Sequence, residues 1–185
     1  VYAELDFDEI DSFLIPVIAN DMATFLSSSF HLTKAAAAVS EQSMDGAAMP
    51  LIAKSVLKLN EGCRYARNEE YETACDCFLK ALVMQENIVP TPELEIANTC
   101  RNLALAYYYN EQYNEAAIYL NRALDYHAAS ADEKSQAEVI ELSEYLAYCD
   151  YYKDEEESAA EKFRKVAEMH ESLNGRLSGG VAKCL

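Results

Sequence analysis

Residues 102–123 read NLALAYYYNEQYNEAAIYLNRA, and residues 60–81 read NEGCRYARNEEYETACDCFLKA. The two stretches align without gaps at an interval of 42 residues. A weaker third copy follows after 43 more residues and has Tyr145, Ala147, Ala159 and Phe163 at matching places. Self-similarity at a fixed interval of this size is typical of repeat architectures, in which every unit is one supersecondary motif.

The residues that recur predict an antiparallel helix pair in each unit. Small residues recur in the middle of the first helix and near the start of the second: Gly62, Ala104 and Ala147, then Ala74, Ala116 and Ala159. Glycine inside a helix costs about 1 kcal/mol relative to alanine, so Gly62 indicates that the two backbones pack closely. Larger residues at i, i+3, i+4 and i+7 spacings are expected to fill the space beside this contact: Tyr65, Phe78, Tyr107, Leu120 and Phe163. Polar triplets at 68–70, 110–112 and 154–156 fit the turns between the helices.

This pattern of Gly/Ala, Tyr, Tyr-x-x-Ala, Phe/Leu and Ala resembles the tetratricopeptide repeat (TPR) over about residues 52 to 172. The interval of 42 residues exceeds the usual 34, and the segment from Pro92 to Leu124 is similar to the long repeats of kinesin light chains. The third unit departs from the pattern, with Glu156 where the other units have tyrosine. The resemblance implies an all-α fold, a right-handed superhelix of antiparallel helix pairs known as a TPR-like α-solenoid.

The units are predicted at about residues 52–88, 92–129 and 131–172. Thr91, Pro92 and Glu93 form a cap, a first-turn proline and an early acid, and Ser130 to Glu133 has the form of a capping box. Residues 1–50 lack the repeat, and the helical pattern of Asp21 to Val39 predicts a capping helix over the end of the first pair. Residues 173–185 are predicted to be a flexible tail, because Asn174-Gly175 is a helix stop.

The predicted function is that of a protein-interaction module or adaptor whose concave groove binds a peptide segment or partner protein. Its candidate binding residues are Asn60, Arg67, Asn98, Arg101, Asn102, Leu105, Tyr109, Tyr145, Tyr148 and Tyr152. Tyrosine and arginine are favoured at protein-binding hot spots, and Arg67 and Arg101 suit a partner with acidic groups. The resemblance to kinesin light chains implies that Asn60 and Asn102 face the groove and hydrogen-bond the backbone of an extended peptide. Leu59 and Cys63 stand where the chaperone-binding TPR subclass has its Lys and Asn, which disfavours a heat-shock co-chaperone.

Charge and hydropathy exclude other classes of partner. The 185 residues carry a formal net charge of -17, which repels a phosphate backbone, so nucleic acid is not expected. The longest notable apolar run, Phe13 to Ala19, has seven residues, far below the ~20 residues that a membrane span requires.

The six cysteines and three histidines form no catalytic or metal-binding motif. No two cysteines have the CxxC spacing, and five lie in helical patterns, where free cysteine is commonly a small buried residue. A reducing, cytoplasmic location follows as the expectation. His31, His127 and His170 belong to no HExxH, nucleophile-elbow or phosphate-loop pattern, and a Cys149–His127 dyad is disfavoured. We therefore predict no enzymatic activity, no metal and no cofactor.

Two questions stay open at the level of sequence. The segment Glu4 to Ile10 alternates acidic and apolar residues, which fits a solvated first turn or a groove-binding segment, acting in cis or by self-association with a second copy. A ligand-responsive regulatory TPR domain and a structural subunit of a larger assembly are alternatives to the adaptor.

Overall fold

The computed structural model describes residues 50–128 and 133–182, and it describes side chains for 50–128 and 135–173. These residues form six α-helices and no strand. The helices are α1 Leu51–Arg67, α2 Tyr71–Glu86, α3 Glu93–Tyr109, α4 Tyr113–Ala128, α5 Glu133–Tyr152 and α6 Glu156–Ala182. Each helix packs on its neighbours in the chain, and α1 also contacts α3. The predicted all-α array of antiparallel helix pairs is confirmed.

The three turns inside the pairs have one shared geometry. Glu69, Glu111 and Asp154 adopt left-handed φ angles of 62°, 61° and 61°. In the first turn, the N–H of Glu70 donates to the carbonyl of Tyr65 at 3.0 Å, and the N–H of Glu69 donates to that of Ala66 at 3.1 Å. The same two bonds recur in the other turns. This is the Schellman motif, which satisfies the last carbonyls of a helix, and the three pairs reverse the chain through the same type of turn.

A glycine in one of these turns should stabilise the chain. Glutamate pays roughly 1 kcal/mol for a left-handed φ that glycine adopts freely, so Glu111→Gly is expected to raise the unfolding free energy by about 0.5 kcal/mol, allowing for glycine's extra entropy when unfolded. Urea unfolding monitored by circular dichroism measures the change. Glu168→Gly, in the exposed interior of α6, is the matched control and should lower stability by about 1 kcal/mol. Equal losses in both variants would contradict the prediction.

The small residues lie where the helices of each pair touch, as their recurrence predicts. Ala74, Ala104, Ala116, Ala147 and Ala159 are all fully buried. At Gly62, a Cβ atom would lie 2.5 Å from Cε1 of Phe78, whose side chain is 1% exposed. Glycine is therefore favoured at this position, because the Cβ of any other residue would overlap the ring of Phe78 unless the ring moved.

The third pair joins its helices through charges. Asp150 stands 43 residues after Tyr107 and is buried at 3% exposure. Ser158 donates a hydrogen bond to its Oδ2 at 2.5 Å, Lys153 approaches Oδ1 at 3.2 Å, and Lys162 forms an ion pair with Oδ2. Burial acts to raise the pKa of Asp150, but the hydrogen bonds from Lys162, Ser158 and Lys153 outweigh it and hold the pKa below its usual range. A buried carboxylate thus replaces the tyrosine of the other pairs.

Two predicted boundaries are wrong. The first helical residue of α3 is Glu93, and Pro92 is its N-cap with no side-chain hydrogen bond, so neither the Thr91 cap nor the first-turn proline exists. The last helix does not stop at Asn174-Gly175 but continues to Ala182. Glycine ends a helix when it turns left-handed; otherwise the helix passes through it at a cost of about 1 kcal/mol. The predicted capping helix 21–39, the segment 4–10 and the cap at Ser130 lie outside the described residues.

Candidate functional site

The first helices of successive pairs lie side by side and form a surface that we call the inner face. Helix α1 contacts α3 directly, and Arg101 of α3 forms ion pairs with Glu138 and Glu141 of α5. Because the repeats share one register, equivalent residues of α1, α3 and α5 form rows across this face. The ten candidate binding residues all belong to these three helices.

Arg101 is committed to contacts within the chain. Arg101 is only 7% exposed. Its Nη1 lies 3.2 Å from Oε2 of Glu138, and its Nη2 forms an ion pair with Oε1 of Glu141. The two carboxylates are three residues apart, so they lie about one helical turn from each other. The prediction that Arg101 suits a partner with acidic groups is therefore corrected, because two acids of the next pair already surround its guanidinium.

Asn102 carries the least explained polar group of the inner face. The residue is 4% exposed, and its carboxamide oxygen accepts no hydrogen bond. Leaving such an acceptor buried and unpaired costs about 1–3 kcal/mol. The neighbouring candidates Asn60 and Asn98 are half-buried and keep contact with solvent. Buried, unsatisfied groups in a folded protein are rare enough that each requires a reason.

The tyrosines of the inner face divide into core and rim. Tyr145 and Tyr148 are buried at 6% exposure, as is Leu105 at 5%, whereas Tyr109 is half-buried and Tyr152 is 44% exposed. Tyr148 packs edge-on against Phe163 of α6, with ring centroids 4.9 Å apart. Tyr145, Tyr148 and Leu105 were predicted to be accessible to a partner, but all three pack in the core. Arg67, at the end of α1, is exposed.

A cluster of seven tyrosine rings runs across the three pairs, with Tyr151 at its edge packed on Tyr152 at 5.3 Å, and we call it the tyrosine cluster. Its centre is Tyr108, whose centroid lies 5.3–6.0 Å from those of Tyr109, Tyr113, Tyr145 and Tyr152. Tyr71 stacks on Tyr109 at 5.5 Å, and Tyr113 stacks on Tyr152 at 5.1 Å. Burial raises the pKa of Tyr108 and Tyr145 above the usual range. These phenols therefore stay neutral and hold neighbouring pairs together.

Sequence reasoning missed the carboxylates of the inner face. Glu141 stands 43 residues after Asn98, and Glu144 stands 43 residues after Arg101, so the repeat register itself was the signal that would have found them. Glu144 also lies 3.3 Å from Nε2 of His170 on α6. Together with Glu138, these residues make the α5 side of the inner face acidic.

A second group of polar residues lies at the junctions between pairs. Gln85 lies in the last turn of α2 and His127 in the last turn of α4, at equivalent places, and both are buried. The carboxamide oxygen of Gln85 accepts no hydrogen bond. His127 lines a cleft of about 320 Å³ between α4, α5 and α6, whose apolar walls include Val139, Ile140 and Met169. Gln85 is therefore a second buried amide with an unpaired oxygen. Because it lies away from the inner face, it can serve as a control for Asn102.

The described cysteines are free and buried, as predicted: Cys63, Cys75, Cys77, Cys100 and Cys149. Burial raises the pKa of Cys63 and Cys100 to about 11 and that of Cys75 and Cys149 to about 12. A nucleophilic cysteine needs a lowered pKa and solvent access, so a Cys149–His127 dyad has no chemical basis. The residues from 50–128 and 135–173 contain no group of three metal-ligating side chains.

These thiols should be inert in the folded chain. In a Cys184→Ser variant, which removes the one cysteine outside the described residues, we expect reaction with Ellman's reagent at pH 8 to be at least ~100-fold slower than in 6 M guanidinium, because the thiolate is the reactive form. Absorbance at 412 nm follows the reaction, and five thiols should appear on unfolding. Fast reaction of any thiol in the native state would contradict the burial described above.

Comparison with known proteins supports the architecture. No protein-family model matches the chain. The crystal structure of the TPR domain of Arabidopsis FLU matches with a TM-score of 0.57, covering 66% of this chain and 99% of its own, at 24% identity. The fold is that of a TPR-like α-solenoid. Protein HGV2 of Halocynthia roretzi is 30% identical to this TPR-like chain over 124 residues, which are 66% of the chain and only 22% of HGV2.

The likeness to the FLU domain, at 24% identity, establishes the fold of this chain alone. Among the residues that the structure describes, no helix is long and apolar enough to cross a bilayer.

Proposed function

We propose that this TPR-like solenoid is a protein-interaction module, or adaptor, that binds an extended segment of a partner protein along its inner face. The observation that carries the proposal is the carboxamide oxygen of Asn102, buried without a hydrogen-bond donor in the first helix of the middle pair. A backbone N–H of a bound segment would supply the missing donor once the side chains that cover this oxygen move aside. The stability that this oxygen costs the free chain would then be recovered on binding.

The repeat register supports a segment bound along the row of first helices. Asn60 and Asn102 stand at equivalent places, 42 residues apart, and Asn98 lies one turn before Asn102. Repeats of this length resemble those of kinesin light chains, in which such asparagines bind a peptide backbone. Arg67, Tyr109 and Tyr152 form a partly exposed rim beside this row, and arginine and tyrosine suit contacts with a partner.

The charges of the inner face favour a partner segment with basic groups. An acidic segment would have to displace Glu138 and Glu141 from Arg101, and it would approach a chain of net charge -17. A cationic side chain would instead meet Glu141, whose side chain is 31% exposed, in a favourable field. The acidic partner expected from Arg101 therefore loses its support.

Five buried, unpaired thiols are compatible with the proposed reducing, cytoplasmic setting.

Asn102→Leu tests the proposal, with Gln85→Leu as its matched control. Each substitution replaces a buried, unpaired amide with an apolar side chain of similar size, so each should raise the unfolding free energy by about 1 kcal/mol. Peptides selected from a random 12-residue phage library on the wild-type chain provide the probe. Fluorescence polarisation should show about tenfold weaker binding to Asn102→Leu, the cost of roughly one lost hydrogen bond, and unchanged binding to Gln85→Leu.

The two variants separate the possible outcomes. Equal affinity of both variants for every selected peptide would remove Asn102 from the binding site. Equal losses in both would mean that binding depends on the packing of the pairs and not on a contact at the inner face. A peptide set without enrichment of lysine and arginine would contradict the basic partner.

A further inference from the structure

One face of α1 lies at the end of the described array and has no helix pair before it. In the later pairs, the equivalent positions of α3 and α5 are at most 7% exposed; they are Thr99, Leu103 and Ala106, and then Leu142, Leu146 and Cys149. In α1 the same positions hold Leu57, Glu61 and Arg64. Leu57 is 45% exposed, the Glu61 side chain is 44% exposed, and Arg64 is exposed. This is the stripe by which each pair docks on the pair before it, and in α1 no helix pair of the described residues covers it.

The surface around the uncovered stripe is basic in an acidic protein. With Leu51, Lys54 and Lys58, which continue it at helical spacing, the stripe forms a surface that we call the α1 end face. Lys58 pairs with Glu61 at 2.5 Å, Arg64 lies over the ring of Tyr65 at 5.1 Å, and Lys54 makes no ion pair with another described residue. The face thus carries three cations against one carboxylate, in a chain whose net charge is -17. Leu51 and Leu57, 38% and 45% exposed, give it apolar contact points.

The chemistry that fits this face is a short segment of alternating acidic and apolar residues, which the chain itself contains. Residues 4–10 read ELDFDEI, with four acids and three large apolar side chains. A further 39 residues separate this segment from Pro50, and they could extend up to about 130 Å. Helix α1 is only about 26 Å long, so the segment can reach any point on it. A tether of this kind makes even weak ion pairs effective, because the local concentration of the segment is high.

We propose that residues 4–10 dock on the α1 end face of the same chain, with their acids on Lys54, Lys58 and Arg64 and their apolar side chains on Leu51 and Leu57. The segment covers the end of the solenoid where a further repeat would otherwise stack. It leaves the inner face to a partner, so this docking is independent of the proposed function.

Zero-length cross-linking with a carbodiimide tests the docking in the full chain, because it joins amines only to carboxylates in contact. We expect mass spectrometry to find Lys54 or Lys58 joined to an acid of residues 4–9. A 1:1 mixture of ¹⁴N and ¹⁵N chains should give these cross-links within single chains only. Arg64→Glu removes no reacting group, yet it should lower their yield about three- to fivefold at low salt, the effect of one exposed ion pair. Arg164→Glu, an exposed arginine of α6, is the matched control and should leave the yield unchanged.

Four results would overturn the proposal. The first is an absence of cross-links from residues 4–9 to α1, and the second is an equal yield in Arg64→Glu and Arg164→Glu. The third is a mixed-isotope fraction that approaches about one half, the value for purely intermolecular coupling in a 1:1 mixture, which would assign the face to a second copy. The fourth is coupling of Lys54 and Lys58 mainly to Asp21, which would assign it to the helix predicted at residues 21–39. Circular dichroism of both variants checks that the fold is retained.

Discussion

Gly62→Ala is expected to lower the unfolding free energy by about 2 kcal/mol, since overpacking a core by one methyl costs about 1–3 kcal/mol. The added Cβ would lie 2.5 Å from Cε1 of Phe78, and that ring is 1% exposed and cannot turn away into solvent. In an exposed helix the same substitution would stabilise by up to ~1 kcal/mol, so the sign of the change alone tests the close approach of α1 and α2. Chemical unfolding followed by circular dichroism at 222 nm measures it.

The second helix pair shows which change at position 78 should compensate for Gly62→Ala. It combines Ala104 with Leu120, and both are fully buried, so Phe78→Leu should make room for alanine at position 62. Although Phe78→Leu alone costs roughly 1 kcal/mol, Gly62→Ala/Phe78→Leu should be more stable than Gly62→Ala. A double variant whose losses simply add would show that the ring and the glycine do not meet.

Asp150→Asn is expected to lower the unfolding free energy at pH 7 by about 2–3 kcal/mol, because a charge buried with its partners is replaced by a neutral group. Asparagine keeps the shape and can still accept from Ser158, so the loss isolates the charges on Lys153 and Lys162. Asp76→Asn, at an exposed position of α2, is the control and should change stability by less than about 0.5 kcal/mol.

The stability lost in Asp150→Asn should depend on pH in a defined direction. The pKa of Asp150 is lowered in the folded chain, so its contribution is complete above the pKa of about 3.9 of an unfolded aspartate and is lost as the pH falls through the folded value. Urea unfolding at pH 7, 5 and 3 should therefore show a constant gap between wild type and Asp150→Asn at the two higher values. The gap should narrow at pH 3, and a gap that first narrows between pH 7 and 5 would point to another group.

The helix pairs were predictable because the same packing contact is encoded once in every copy of the repeat. Three copies of one small residue, at positions 74, 116 and 159, indicate the same contact independently. The turns were predictable in place but not in geometry, because Glu69 and Glu111 adopt left-handed φ angles that glycine or asparagine would have signalled. The end of the last helix was missed because Asn174-Gly175 permits a stop without imposing one.

The inner face was predictable only in part, because burial there depends on contacts between units. Arg101 was correctly placed on the first helix of its pair, but its partners Glu138 and Glu141 lie about 40 residues away. No local pattern distinguishes a buried Asn102 from a half-buried Asn60, since the two asparagines occupy equivalent places. Whether either asparagine binds a partner stays a prediction.

The tyrosine cluster allows the state of the chain to be followed by its intrinsic fluorescence. The protein has 13 tyrosines and no tryptophan, so phenol emission is not lost by transfer to an indole. Rings whose centroids lie 5.1–6.0 Å apart exchange excitation among themselves, which depolarises their fluorescence as long as the three pairs stay docked. Emission anisotropy near 305 nm should therefore rise when the pairs separate. It should also respond when a guest covers Tyr109 or Tyr152, so binding and unfolding can be followed without a label.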